Sequence, residues 1–344
     1  MSSANLDSAD LKAVTKGGLI REDVMDKIWD ISKIPLPFTD LIGEETSKQS
    51  YKEWTQDTLA APDLTNAVID GADASGNDTV TGARVGNHHQ ISDKVVRVSY
   101  RANASDTIGR ANELAYQISR RQQELRRDVE AIALSNQASV ADDGSSTAGK
   151  AGGLPSWIVT AHTNGSAGGF NTSTGLTVAR TTTTRSALTE TKVRDTVETI
   201  YSNGGDPTIM MSIPKAIRRF SEYLFTASAR VATLTSDIGQ ASEAATATGS
   251  VNVFVTDFGT LKLVPNRIQQ MHKDSGGSND CADVFILDPA YLALSYLQRF
   301  RTDTLAKTGT AENRQMTVDW TLVVHTQKAH GIIGDIDHTA AVTA

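Results

Sequence analysis

The stretch DTIGRANELAYQISRRQQELRRDVEAIALSN, residues 106–136, carries the strongest periodicity in the chain. Ala111, Ala115, Ile118, Gln122, Leu125, Val129 and Ile132 recur at spacings of four and three, which places them on one stripe of a helix with Gln122 its one polar member. Asp106 or Ser105 is positioned to cap the start, and the turn residues Asp142-Asp143-Gly144 follow the end. Helical throughout, this segment would be a rod about 45 Å long at ~1.5 Å per residue, longer than is usual in a compact domain. The opposite face sets Arg120, Arg121, Arg126 and Arg127 against Glu113, Glu124, Asp128 and Glu130. That near-balance reads as a solvated face with ion pairs one turn apart, such as Glu124 with Arg120 and Arg127, in preference to a phosphate-facing ridge.

Upstream of this rod the pattern is extended. Tyr51, Glu53 and Thr55 alternate with Lys52, Trp54 and Gln56, and later Val96, Val98 and Tyr100 alternate with Arg97, Ser99 and Arg101. Between them Pro62 to Gly86 is rich in Asp, Gly, Thr and Asn and poor in residues able to build a core. The expected geometry is a long two-stranded loop projecting from the body, and because a lone strand pair is marginal in water, its surface calls for completion by another molecule. Residues before Pro35-Leu36-Pro37 hold a short amphipathic segment, Val24 to Trp29, and read as an arm.

Downstream, residues 138–185 are dominated by Gly, Ser, Ala and Thr, with one apolar island at Leu154-Pro155-Ser156-Trp157-Ile158-Val159 that reads as an anchored strand in a long connection holding a second hairpin. The second half alternates more regularly. Val193, Val197, Ile200 and Tyr201 mark a helix stopped by Asn203-Gly204-Gly205; Ile209 to Ile213 is a buried strand; Pro214 opens a helix carrying Ile217, Phe220, Leu224 and Phe225. Residues 227–250 read as loop, Val251 to Leu263 as a hairpin turning at Asp257 to Thr260, Asp283 to Leu287 as a buried strand, and Met316 to Thr326 as an alternating strand. Ile332-Ile333 precede a small-residue tail. The composite is α+β with mixed sheets and no internal repeat.

The whole chain has 344 residues, 33 Lys plus Arg against 40 Asp plus Glu and a net charge of -7, enough chain for roughly two ordinary domains. An acidic balance argues against a surface built to neutralise phosphates. No apolar run approaches the ~20 residues needed to cross a bilayer, the N-terminus lacks the pattern of a secretory signal, and Cys281 is the single cysteine, so a reducing cytoplasm is the expected folding compartment. Chemistry is sparse. The sequence contains no Gly-Lys-Ser/Thr phosphate loop, no dinucleotide fingerprint after a strand, no Gly-x-Ser-x-Gly elbow and no His-Glu-x-x-His. His88-His89 fall on opposite faces of a strand and cannot share a metal. His330, Asp335, Asp337 and His338 offer metal-ligand types at close spacing, but they read as a short exposed tail turn in preference to a metal site. Cys281 lies between Asp280 and Asp283, a setting that raises a thiol pKa.

A long extended loop, a long helix, glycine-rich insertions and no catalytic motif describe a protein whose business is contact with copies of itself. The order of arm, extended loop, spine helix, peripheral region and α/β second half resembles the tailed-bacteriophage major capsid proteins with the Hong Kong 97-type fold, and within them a podovirus-like capsid family. The blocks that carry the likeness are Glu53-Trp54-Thr55-Gln56-Asp57-Thr58-Leu59, Asn87-His88-His89-Gln90-Ile91, Glu113-Leu114-Ala115-Tyr116-Gln117, Arg127-Asp128-Val129-Glu130, Gly153-Leu154-Pro155-Ser156-Trp157-Ile158, Val255-Thr256-Asp257-Phe258-Gly259 and Leu305-Ala306-Lys307-Thr308-Gly309.

The resemblance implies an N-terminal arm (1–46), an extended loop (47–104), a peripheral domain with the spine helix and the Gly/Ser/Thr-rich insertion (105–189), an axial domain (190–300), and a return to the peripheral domain with the C-terminal tail (301–344). It implies a non-enzymatic shell protein without cofactors or metal, assembled in the host bacterial cytoplasm into the pentamers and hexamers of an icosahedral virion capsid. Its partners would be itself, a scaffold protein, a portal, a decoration protein, and packaged double-stranded DNA touched weakly; no membrane is involved. Tyr51, Lys52 and Trp54 in the loop and Arg120, Arg121, Arg126 and Arg127 on the helix are the expected inter-subunit contacts. The prototype of the fold locks its shell through a Lys-to-Asn side-chain bond; Lys48 and Lys52 lie in the loop, but no matching Asn and acid are identifiable, so covalent locking is not expected. An encapsulin-type compartment shell, and more remotely a metal-dependent enzyme built on the His330–His338 group, are the alternatives.

Overall fold

The segment Asp280–Leu287 is buried along its whole length after the first residue, so it can be neither an edge strand nor a strand with one wet face. The computed structural model describes residues 35–343 apart from 72, 74, 75, 77–81, 106–111, 227–251 and 308. In it the strands are β1 (Gly43–Thr46), β2 (Tyr51–Gln56), β3 (Ala83–His88), β4 (Gln90–Ser99), β5 (Ala161–Thr163), β6 (Gly169–Asn171), β7 (Leu176–Val178), β8 (Ile209–Ser212), β9 (Val253–Thr256), β10 (Gly259–Pro265), β11 (His272–Lys273), β12 (Asp280–Leu287), β13 (Leu292–Thr304), β14 (Ala311–Val324) and β15 (Gly331–Ile336). The helices are α1 (Tyr100–Ala104), α2 (Glu113–Ala133), α3 (Glu190–Ser202) and α4 (Pro214–Thr226).

One sheet runs β5-β15-β12-β8-β10-β9, with β11 added against β12. Its central strands send alternate residues to two separate cores. Ile209, Met211, Phe285, Leu287 and Ile332 belong to the core shared with α2 and the second sheet. Met210, Val284, Ile286, Ile333 and Ile336 belong to the core under α3 and α4, with Val193, Val197, Ile200, Ile217 and Phe220. Period-2 alternation in a continuous apolar run is what a strand covered on both faces requires. The second sheet runs β1-β13-β14-β4, with β1 parallel to β13 and the rest antiparallel. Residues 292–300 thus stand in this four-stranded sheet and 331–336 in the other.

Helix α2 begins later than its periodicity suggests. Asn112 caps it by accepting from the Ala115 amide, and Ser105 instead ends α1, its amide bonded to the Arg101 carbonyl. Residues 106–111 lie outside the described residues. The 21 helical residues span about 32 Å. Of the expected stripe, Leu125 and Val129 are buried and Ile118 and Ile132 pack against the core, whereas Ala115 and Gln122 face outward and Leu114 and Ala133 are buried beside it. Long side chains decide the seam: Leu114 one position away buries more area than Ala115.

Other expectations also shift. Strand β2 pairs with β3, Tyr51 opposite His88 and Gln56 opposite Ala83, and not with Val96 to Arg101. Strand β4 is claimed instead by β14, which buries Val96 and Val98. The island Leu154–Ser156 is a single 3-10 turn and not a strand; residues 151–158 are all buried, and Gly153 passes so near the end of α2 that a Cβ there would collide with the Ser135 carbonyl. The second hairpin of this region is β6–β7. The tail turn expected to be exposed is strand β15, buried at every residue. The helix at Val24 to Trp29 and the loop 227–250 lie outside the described residues, as do the side chains of Leu224 and Phe225.

A buried carboxylate ties three segments together. Glu130 on α2 is fully buried; its Oε1 accepts from Asn266 Nδ2 at 2.7 Å and from the Phe38 amide at 3.5 Å, and its Oε2 accepts from Thr39 Oγ1 at 3.1 Å and the Thr39 amide at 3.3 Å. Burial pushes this carboxyl above its usual range while the four hydrogen bonds pull the other way. Each of these four hydrogen bonds comes from a donor, so an amide at this position would turn its NH2 toward another donor. Glu130→Gln is expected to cost about 1–3 kcal/mol in denaturant unfolding although it is isosteric and removes a buried charge; an unchanged or higher midpoint would show that charge burial outweighs the four donors.

Candidate functional site

The extended loop divides into a fixed base and an unsupported tip. At the base Trp54 packs 5.3 Å from buried Trp157, which in turn stacks on Phe170 at 5.8 Å with nearly parallel rings. Tyr51 lies against the His88 ring at 4.5 Å and donates to the Gly175 carbonyl at 2.9 Å. Lys52 pairs with Glu45 at 3.4 Å. All three loop residues expected at an inter-subunit contact therefore engage their own chain, and they fix the direction in which the loop leaves the body.

Beyond Gln56 every described residue from 57 to 71 is exposed. Leu59 is 99% exposed, Leu64 96%, Val68 86% and Ile69 82%. Single exposed apolar residues are ordinary, but four large ones within eleven positions of a segment without a core are not. The same stretch, residues 57–71, carries Asp57, Asp63 and Asp70 and no Lys or Arg. Asp63 accepts from the Thr65 amide and hydroxyl, which holds its carboxyl below the usual range.

On α2 the four arginines separate. Arg121 pairs with Glu124 one turn on. Arg120 reaches back to Tyr116, its Nη1 donating to the hydroxyl at 3.3 Å. Arg126 stands over the Phe300 ring at 5.3 Å, and Arg127 is partly buried with its Nε meeting no hydrogen-bond partner among the described residues. Arg126 also borders a groove of about 310 Å³ between the chain entering β1, α2 and β13, lined among others by Leu36, Val129, Tyr296, Arg299 and Phe300.

The residues singled out for chemistry do not converge. His89 Nδ1 lies 3.0 Å from Asp319 while His88 faces Tyr51, so the pair points apart as expected. His330, Asp335, Asp337 and His338 scatter. His330 is fully buried and its Nδ1 accepts from the Asp288 amide at 3.4 Å; Asp337 pairs with Arg185 at 3.3 Å; Asp335 joins His272 and Asp283, residues that sequence spacing does not associate with it. Ligand atoms of those three lie within 4.8 Å of one another, but the Arg180 guanidinium already holds both carboxylates, at 2.8 Å from Asp335 and 3.0 Å from Asp283. Burial and the nearby Asp335 push the Cys281 thiol up to about 11, the reverse of nucleophile activation.

The geometry thus presents an interaction surface. A family model described as SU10 major capsid protein matches residues 6–337. The major capsid protein of Escherichia phage Phieco32 is 39% identical over 102 residues, a segment that makes up 30% of this chain and 29% of that one. The chain is also similar to the solved capsid of a native GTA particle (TM-score 0.60, 10% identity, 97% of this chain and 100% of that one). It is similar as well to the SrpI encapsulin of Synechococcus elongatus (TM-score 0.53, 11% identity, 98% of each chain). At such identities these likenesses speak for the fold alone, and that fold is the α+β Hong Kong 97-type.

His330 gives the body a pH dependence of defined sign. Burial depresses its pKa from 6.5 to about 4, so the unfolded chain binds this proton more readily, and the stability it protects is complete above pH 6.5 and lost as pH falls toward 4. The expected loss over that window is about 3 kcal/mol, read by denaturant unfolding at stepped pH, and the difference between wild type and His330→Gln should shrink by that amount.

Proposed function

The chain belongs to the SU10 major capsid protein family, matched over residues 6–337, and from that premise we propose that it is a bacteriophage major capsid protein, the subunit that self-assembles into the head shell around double-stranded DNA. The observation that carries this reading is the unsupported loop tip: four large apolar side chains at 82–99% exposure on a stalk fixed at its base by Trp54 and Tyr51. A monomer gains nothing from such a segment, whereas a neighbouring copy can bury it.

The tip of one subunit docks on the next, its Asp57, Asp63 and Asp70 facing the spine-helix arginines Arg120, Arg121, Arg126 and Arg127 and its Leu64, Val68 and Ile69 entering the groove by Arg126 and Phe300. Opposite charge steers the approach and fixes the register, and apolar burial holds the contact. Tyr51, Lys52 and Trp54 serve the contact by stiffening the stalk. In this reading 1–46 is the arm and 47–104 the extended loop, 105–189 with most of 301–344 form the peripheral domain, and 190–300 builds the axial domain at the centre of pentamers and hexamers. A separate scaffold, a portal and a decoration protein are the further partners, and assembly takes place in the host cytoplasm. The net charge of -7 suits a lining that touches packaged DNA weakly. A compartment shell of the encapsulin kind rests on likeness of fold without a family match.

Two measurements test this. Electron microscopy of the protein expressed alone and with its scaffold should find closed shells, tubes or capsomer rings; a monomer or dimer under both conditions would overturn the proposal. Leu64→Asp with Val68→Asp should abolish assembly in gradient sedimentation while changing subunit unfolding by no more than about 0.5 kcal/mol, as for exposed sites outside the core. Normal shells from the double variant would remove the tip from the interface.

A further inference from the structure

The ion cluster around Asp335 joins Asn136 past the end of α2, the connection after β7, and strands β12 and β15. Arg180 follows β7 and is 5% exposed. Its Nη2 lies 2.8 Å from Asp335 Oδ1 and 3.0 Å from Asp283 Oδ1, and its Nη1 donates to Asp335 Oδ2 at 3.2 Å. The Thr183 amide donates to Asp335 Oδ2 at 3.0 Å and the Asp335 amide to Asp283 Oδ1 at 3.2 Å. On the other side the Arg180 backbone is clamped to Asn136, just past the end of α2: its amide donates to Asn136 Oδ1 at 3.0 Å, and Asn136 Nδ2 donates to its carbonyl at 2.8 Å. A rigid line therefore runs from the end of the spine helix through Arg180 into β12 and β15 of the seven-stranded sheet.

The charges do not balance without a fourth group. Two buried carboxylates face one guanidinium, and the remaining cation is His272 on β11, its Nε2 at 2.8 Å from Asp335 Oδ1 and its Nδ1 at 3.8 Å from Asp283 Oδ2. Its side chain is 26% exposed, so it can exchange protons with solvent while its partners cannot. The groups around it are Asp283 and the thiol of Cys281 from β12, Asp335 from β15 and Arg180 from the connection after β7; Asp274 on its own hairpin turns inward to Asn279. The backbone adds a bias: Asp335 sits at a left-handed φ of 52°, an arrangement that persists only while its surroundings hold it.

We propose that this cluster is a histidine-gated latch between the end of the spine helix and the seven-stranded sheet, closed while His272 carries its proton and loosened when it gives the proton up. Loss of the proton leaves two buried carboxylates facing the single Arg180 guanidinium, a net negative charge, and the element free to relieve it is β11, paired to β12 through two residues. The carboxylates hold the imidazole pKa above its ordinary value against the effect of burial. The latch therefore contributes fully below pH 6.5, and its contribution is lost as pH rises through the pKa of the closed state. Its direction is opposite to that of His330, so the two can be separated by pH.

Hydrogen exchange of the full chain, read by mass spectrometry and corrected for the intrinsic pH dependence of amide exchange, tests the latch whether or not shells form. Peptides covering 267–280 and 179–185 should exchange faster at pH 9 than at pH 6.5 by on the order of tenfold, while 209–212 in the sheet centre stays unchanged. His272→Gln, which cannot carry the charge, should exchange at the faster level at both pH values. Wild-type rates equal at the two pH values in both segments, or a glutamine variant that keeps the pH dependence, would overturn the proposal. Should the variant fail to fold, the wild-type comparison alone decides.

Discussion

The structure depends on one sheet being dry on both faces. Strands β8, β12 and β15 place alternate residues in two cores, and neither core can form without the other side of the same strands. A buried strand must satisfy its backbone through neighbours and its side chains through two layers. Helices α3 and α4 supply one layer, and α2 with the four-stranded sheet supplies the other. Each large side chain buried in these strands contributes about 1.5–3 kcal/mol relative to exposure, and together they hold the spine helix and the second sheet in fixed relation. The loop can project because the body behind it does not yield.

Within that frame the buried polar groups do a different kind of work from the apolar ones. Hydrophobic packing tolerates small slides, whereas Glu130 accepts four donors from two other segments, residues 38–39 and Asn266, and Arg180 grips two carboxylates from two strands. Replacing such groups by well-packed apolar residues is often neutral or stabilising, so their value here is in register: they admit one arrangement of the entering chain, the helix and the sheet. A subunit that must repeat the same angles many times in a closed assembly needs that definition more than it needs extra stability.

What was legible in the sequence follows the range of the interactions involved. Period-2 and period-3.6 patterns report local geometry, and they located the hairpin at Val253, the helices after Thr189 and Ile213, and the strands ending at Leu287 and Val324. Strand partners are not local: β2 pairs with β3 because β14 takes β4, a choice that depends on residues more than 200 positions away. The seam of α2 follows its periodicity through Ile118, Leu125, Val129 and Ile132 and departs from it at Ala115 and Gln122, since Ala115 and Leu114 both fit an apolar stripe until the depth of the groove selects the larger. Arg180, 155 positions from Asp335, carried no sequence signal, and neither did His272. The order of short blocks along the chain suggested the family, since order survives where single motifs are weak.

The loop shows why the interface was harder to read than the fold. Tyr51 and Trp54 look like contact residues because exposed aromatics so often are, yet in this chain a buried tryptophan and a glycine carbonyl claim them first. In the proposed contact the anchoring would fall to aliphatic residues of an acidic stretch that, taken alone, reads as a weakly structured connection. That division has a physical logic. A stalk must be stiff where it leaves the body, or the ordering of the loop would consume the free energy of the contact it makes. The tip, exposed at every described residue from 57 to 71, would be ordered by a neighbour in the proposed contact, which would make each contact modest and reversible. Errors in a growing assembly built on such contacts would then be undone, and stability would accumulate only when many of them close together.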